Sequence, residues 1–87
     1  DGLDGHIAAL ASALAATTPF DELHIETTVR DIATHQGIKA GILIHATRVA
    51  MTGRAISPGL FEVLEMLGRD RVLKRLQALQ SFLTGQH

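Results

Sequence analysis

Eighty-seven residues and a net charge of −1 leave room for one small domain and do not mark a nucleic-acid binder. Without Cys there is no disulfide, thiolate zinc site or cysteine nucleophile. Without Trp or Tyr, and with three Phe, a β-sandwich or an aromatic platform for single-stranded RNA is disfavoured. Twelve Leu and twelve Ala point instead to helices around a thin core.

Turn signals divide the chain into about five helices. The first is expected over Asp4–Ala16, with Leu3, Ile7, Leu10, Ala11 and Leu14 on one face. Thr17-Thr18-Pro19 breaks it. The second is expected over Glu22–Gln36, with Asp21 as N-cap and Glu22 and Glu26 near the positive end of the helix dipole. Ile25, Val29, Ile32 and Ala33 form its apolar stripe, and Gly37 follows its end. The third, Ala40–Thr52, is apolar around most of its circumference. Gly41, His45, Arg48 and Thr52 share one narrow polar stripe, so the pattern predicts a central, buried helix with a single window outward, ended by Gly53. Ser57-Pro58-Gly59 opens the fourth, with Ser57 as N-cap and Pro58 as first helical residue. Leu60, Phe61, Val63, Leu64, Met66 and Leu67 are expected inside, Glu62 and Glu65 outside. The last helix, Arg69–Leu83, follows Gly68 and turns Val72, Leu76, Leu79 and Leu83 inward, with Asp70 in its first turn and Arg71 and Arg75 four apart on one flank.

The charge is unevenly spread. Residues 1–36 carry Asp1, Asp4, Asp21, Glu22, Glu26 and Asp31 against Arg30. Residues 37–87 carry Lys39, Arg48, Arg54, Arg69, Arg71, Lys74 and Arg75 against Glu62, Glu65 and Asp70. Such asymmetry suits a polyanionic partner for the second half, but two solvated faces that attract each other explain it as well. No apolar run approaches the roughly 20 residues of a membrane span, and no basic segment marks a signal peptide. The chain opens on Asp1 rather than Met, as a piece of a longer protein would.

No catalytic constellation is present: no GxSxG, Walker loop, HExxH or GxGxxG. Glu62 and Glu65 lack a His at helical spacing, and His6, His24, His35 and His45 are too dispersed to form a metal site. Two features remain. Arg48 on the polar stripe is either structural or a contact to an anion or base edge. The junction Met51-Thr52-Gly53-Arg54 … Ser57-Pro58-Gly59-Leu60 brings a helix end to a helix start, where backbone N–H groups either are simply capped or receive a phosphate or base. A DNA-binding helix-turn-helix fits poorly, because Glu62 and Glu65 repel phosphate.

At these residues the chain resembles the C-terminal region of bacterial-type glutamyl-tRNA synthetase. Three linked blocks carry the likeness: Arg48-Val49-Ala50-Met51-Thr52-Gly53-Arg54, Ser57-Pro58-Gly59-Leu60-Phe61-Glu62-Val63-Leu64, and Leu67-Gly68-Arg69-Asp70-Arg71-Val72-Leu73-Lys74-Arg75-Leu76. Phe20 to Leu43 is similar to the preceding helices of that family, whereas residues 1–19 match only as a helix of fitting length. The resemblance implies an all-α helical cage that binds the anticodon loop of the glutamate tRNA, with Arg48, Thr52, Arg54, Ser57 and Leu60 at the anticodon. His45-Ala46-Thr47 stands where Pro and Leu are common, a departure that bears on the helix start and on base preference.

The resemblance leads to the expectation that residues 1–87 form an anticodon-binding piece without catalytic residues, metal or cofactor of its own. The parent would be a cytoplasmic, monomeric enzyme that uses ATP and Mg to join glutamate to its tRNA. The alternative is a helical protein-interaction module.

Overall fold

Asp21 begins the second helix as its side chain predicts. Its carboxylate accepts the His24 backbone N–H at 2.9 Å, while its backbone is extended. The same helix ends in a Schellman turn: the Ile38 N–H reaches the Ala33 carbonyl at 3.0 Å and the Gly37 N–H reaches Thr34 at 3.1 Å. Gly37 takes the positive φ of 72° that this turn requires. Local chemistry of this kind sets most element boundaries in the computed structural model, which describes residues 2–53 and 59–85. Five helices occur among them: α1 Leu3–Ala15, α2 Glu22–His35, α3 Ala40–Thr52, α4 Leu60–Leu67 and α5 Arg69–Thr84. No strand accompanies them among the described residues, and the fold is the expected all-α bundle.

Helices α1 and α5 form the most extensive pair. Helix α2 lies against α1, α3 and α4, and α3 rests on α5. The core draws on every helix: Ile7, Leu10 and Leu14; Ile25, Val29 and Ala33; Leu43 and Met51; Leu60 and Leu64; Val72 and Leu76. The apolar stripes expected on α1 and α2 are the faces found inside.

Helices α3 and α4 depart from expectation. α3 is not a central helix with one polar window. It buries only the stripe Leu43, Thr47 and Met51, and turns a broad face outward on which Ile42 is 53% and Val49 39% exposed beside His45. A buried Thr is tolerated because its hydroxyl donates to the Leu43 carbonyl at 2.7 Å. The His45-Ala46-Thr47 departure leaves the helix start at Ala40. α4 buries only Leu60 and Leu64 fully; Phe61, Val63 and Leu67 are half-buried, and Met66 is 81% exposed. Eight residues make barely two turns, too few for all six apolar side chains to face one core. Its cap position falls on Gly59, without a side-chain bond, rather than on Ser57. Ser57 and Pro58 lie outside the described residues. At the end of α5, Leu79 packs against the core but Leu83 is exposed.

Long-range polar contacts help lock these helices together, and three of them bear on the ends of α2, α3 and α5. The Glu65 carboxylate on α4 accepts the Glu22 N–H at 2.7 Å, satisfying a donor in the first turn of α2. The Arg69 guanidinium donates to the Thr17 carbonyl and stacks over the Phe20 ring at 5.2 Å, tying the start of α5 to the α1–α2 loop. Arg75 donates to the Met51 carbonyl, joining α5 to the end of α3.

Candidate nucleic-acid interface

The last turn of α3 is the structural centre of the candidate site. Gly53 closes it at φ 71°, a left-handed conformation that suits glycine, and its N–H returns to the Val49 carbonyl at 2.8 Å. Thr52 bonds back through its hydroxyl to the Arg48 carbonyl at 2.8 Å. Arg48 and Thr52 are both half-buried and four residues apart, hence one turn apart on the same side of the helix. His45, three residues before Arg48, continues that side and is exposed. The stripe read from the sequence is therefore a physical ridge, although it borders the exposed Ile42 and Val49 rather than a closed apolar surround.

The other expected site residues fare differently. Arg54 and Ser57 lie outside the described residues. Leu60 is 2% exposed, so its side chain belongs to the core. What it offers a ligand in this conformation is its backbone at the first turn of α4, where the Gly59 cap supplies no side-chain acceptor.

Exposed cations lie on α5, which packs against α3. Arg71, Lys74 and Arg75 of α5 are exposed, and among the described residues none of them forms an ion pair. The contact from Arg75 to Met51 brings this flank of α5 beside the last turn of α3. Among the described residues, the ion pairs of the acidic half are local to α2 and its cap: Asp21–His24 at 2.6 Å and Glu26–Arg30 at 2.9 Å. Asp21 itself is held below the usual carboxylate range, first by the His24 backbone N–H and then by the His24 side chain.

Among the described residues no group of three His, Asp or Glu side chains is placed to hold a metal ion. The open groove of about 430 Å³ between the end of α1 and α2 is lined by Thr17, Thr28 and Asp31 among others, and by no residue of α3. No described helix is long and apolar enough to cross a membrane.

Residues 3–80 match the family described as "Anticodon binding domain". The chain belongs to that family. Relatives of this anticodon-binding domain carry the name glutamate–tRNA ligase. The protein from Syntrophobacter fumaroxidans is 40% identical over 77 residues, covering 88% of this chain and 16% of its own length. That from Roseiflexus castenholzii is 40% identical over 84 residues, 93% of this chain and 17% of its own length. That from Moorella thermoacetica is 46% identical over 63 residues, 72% of this chain and 13% of its own length. The chain thus spans about a sixth of the length of such relatives.

Sequence reasoning missed Arg75 and Glu65 as parts of this architecture. The only signal for Arg75 was its place on the Arg71 flank. For Glu65 there was none, because an outward carboxylate on an amphipathic helix looks the same whether or not it caps a neighbour.

Proposed function

We propose that this chain is the anticodon-binding part of a longer glutamate–tRNA ligase and reads the anticodon loop of the glutamate tRNA with the last turn of α3 and the start of α4. The observation that carries the reading is the match to the anticodon-binding family over residues 3–80, together with the name shared by its relatives. The ridge of Arg48 and Thr52, flanked by the exposed cations of α5, supports it. Arg54, Ser57 and the Leu60 backbone complete the proposed contact set. The parent would be a monomer in the cytoplasm that activates glutamate with ATP and Mg through parts outside these residues, then transfers it to the tRNA.

Arg48 is assigned the base contact. Its planar fork of donors can engage two acceptors on one base edge, and the cytosine and uracil of this anticodon both carry carbonyl acceptors. Arg71 and Lys74 on α5 neutralise phosphates and set the salt dependence. The test is titration of the chain with the anticodon stem-loop and with stem-loops altered at each anticodon position, at several salt concentrations. Arg48→Ala is expected to weaken binding by about 1–3 kcal/mol and to blunt discrimination at one position, and Arg48→Lys is expected not to restore it. A folded Arg48→Ala chain with undiminished discrimination refutes the base-reading role. Affinity that is flat with salt refutes the phosphate contacts.

A further inference from the structure

We propose that Arg75 is a positioning residue for RNA reading: its hydrogen bond to the Met51 carbonyl holds the last turn of α3, and so fixes the direction in which Arg48 and Thr52 project. The inference rests on the proposed anticodon-reading role and extends it to a residue on a different helix. A helix end leaves its last carbonyls without intrahelical donors. In α3 the Val49 carbonyl is satisfied by Gly53, and the Met51 carbonyl by the guanidinium that reaches across from α5. A cation at this end also complements the negative pole of the helix dipole.

The leverage of this bond comes from where it acts. Met51 lies between Arg48 and Thr52 in sequence, and its side chain is buried in the core. Gly53, with φ 71°, then takes the backbone out of the helix. The helical ladder ends there, so the tertiary bond from Arg75 supplies a restraint that the ladder no longer gives. Arg75 is itself exposed, and Arg71 stands one turn earlier on the same flank. A guanidinium suits this role because it can satisfy the carbonyl with one nitrogen and remain hydrated through the others. A lysine would keep the charge but lose the planar fork.

The role has two separable signatures. The first concerns the protein alone: in Arg75→Ala, the Gly53 amide should exchange its hydrogen about 5- to 10-fold faster than in the parent chain, relative to amides in the middle of α3. The second concerns RNA: Arg75→Ala should reduce discrimination at the anticodon position that Arg48 reads by about fivefold or more, and the Arg48→Ala/Arg75→Ala double variant should discriminate no worse than Arg48→Ala alone. Arg75→Ala and Arg75→Lys should both keep the salt slope of the parent chain, and Arg75→Lys, with its shorter stem, should recover at most part of the discrimination.

Hydrogen exchange by NMR on the free chain, followed by stem-loop titrations of the parent chain and the four variants, provides the test. Equal loss for all anticodons, additive with Arg48→Ala and with a salt slope smaller by about one, identifies Arg75 as a phosphate contact and overturns the positioning role. Unchanged Gly53 exchange overturns it as well. If Arg48→Ala leaves RNA binding intact, the base-reading assignment fails by itself, and the exchange arm still shows whether Arg75 holds the turn. Should Arg75→Ala not fold, Arg75→Lys carries the same exchange and discrimination measurements.

Discussion

Replacing Gly68 by Ala isolates a backbone term with almost no side-chain contribution. Gly68 is the only residue between α4 and α5, and it both ends one helix and begins the next at φ 87° and ψ 158°. That region is essentially confined to glycine, and residues held in sparsely populated regions cost on the order of 1–3 kcal/mol. A Cβ built at Gly68 meets no atom within 4 Å, so no clash adds to this cost. Ala also has fewer unfolded conformations to lose, which offsets roughly 0.4–1 kcal/mol. The net expectation is a loss of about 1–2 kcal/mol. At roughly 4–8 °C per kcal/mol for a domain of this size, the melting midpoint should fall by about 4–16 °C. Thermal and urea unfolding followed by far-UV circular dichroism measures it. D-alanine introduced at the same position by chemical ligation is the control, since positive φ is its natural region. An unchanged midpoint for Gly68→Ala, or a D-alanine variant as unstable as the L form, refutes the argument.

Arg69→Ala removes the donor to Thr17 and the stack on Phe20 and should cost about 1–3 kcal/mol; Arg69→Lys should recover less than half, as read by urea midpoints. Glu65→Ala leaves the Glu22 N–H without its carboxylate acceptor and should cost about 0.5–1.5 kcal/mol, with amide exchange in the first turn of α2 accelerating before that in α5. Asp21 titrates at lower pH folded than unfolded, so its contribution is complete above the ordinary carboxylate range and is lost as pH falls through the lowered folded value. Asp21→Asn keeps an N-cap acceptor without the charge, and its stability curve should be flatter over that acid window. Parallel curves for the two proteins would remove Asp21 from the acid response.

Much of the fold was legible because its instructions are local. The bounds of α3, the Asp21 cap and the glycine exits at Gly37 and Gly53 each depend on a few adjacent residues, and the sequence pattern located all of them. The inward faces of α1 and α2 were equally readable from spacing. Periodicity fails where it must say whether an apolar face is covered. Ile42, Val49 and Met66 belong to faces that no described element covers, and nothing in their spacing distinguishes them from Leu43 or Leu64. For the candidate site, the ridge of Arg48 and Thr52 was visible as a stripe. Its anchor was not, because Arg75 and Met51 meet across two helices. The Gly68-Arg69-Asp70 run was noticed as a pattern, and the structure shows its separate physical reasons: a glycine-only backbone angle, a strut to the α1–α2 loop and an acid in the first turn of α5.

The pairing of α1 with α5 has a consequence for synthesis. Synthesis makes α1 before α5, so Ile7, Leu10 and Leu14 wait for the helix that covers them most extensively. At about 5–20 residues per second the delay is on the order of seconds, long compared with the sub-microsecond to microsecond times in which single helices form. During that interval the earlier helices expose a sticky surface that α5 later covers. A product cut short before Arg75 would lack both this cover and the donor to Met51. Incomplete copies would therefore be left open to proteases before the end of α3 is anchored.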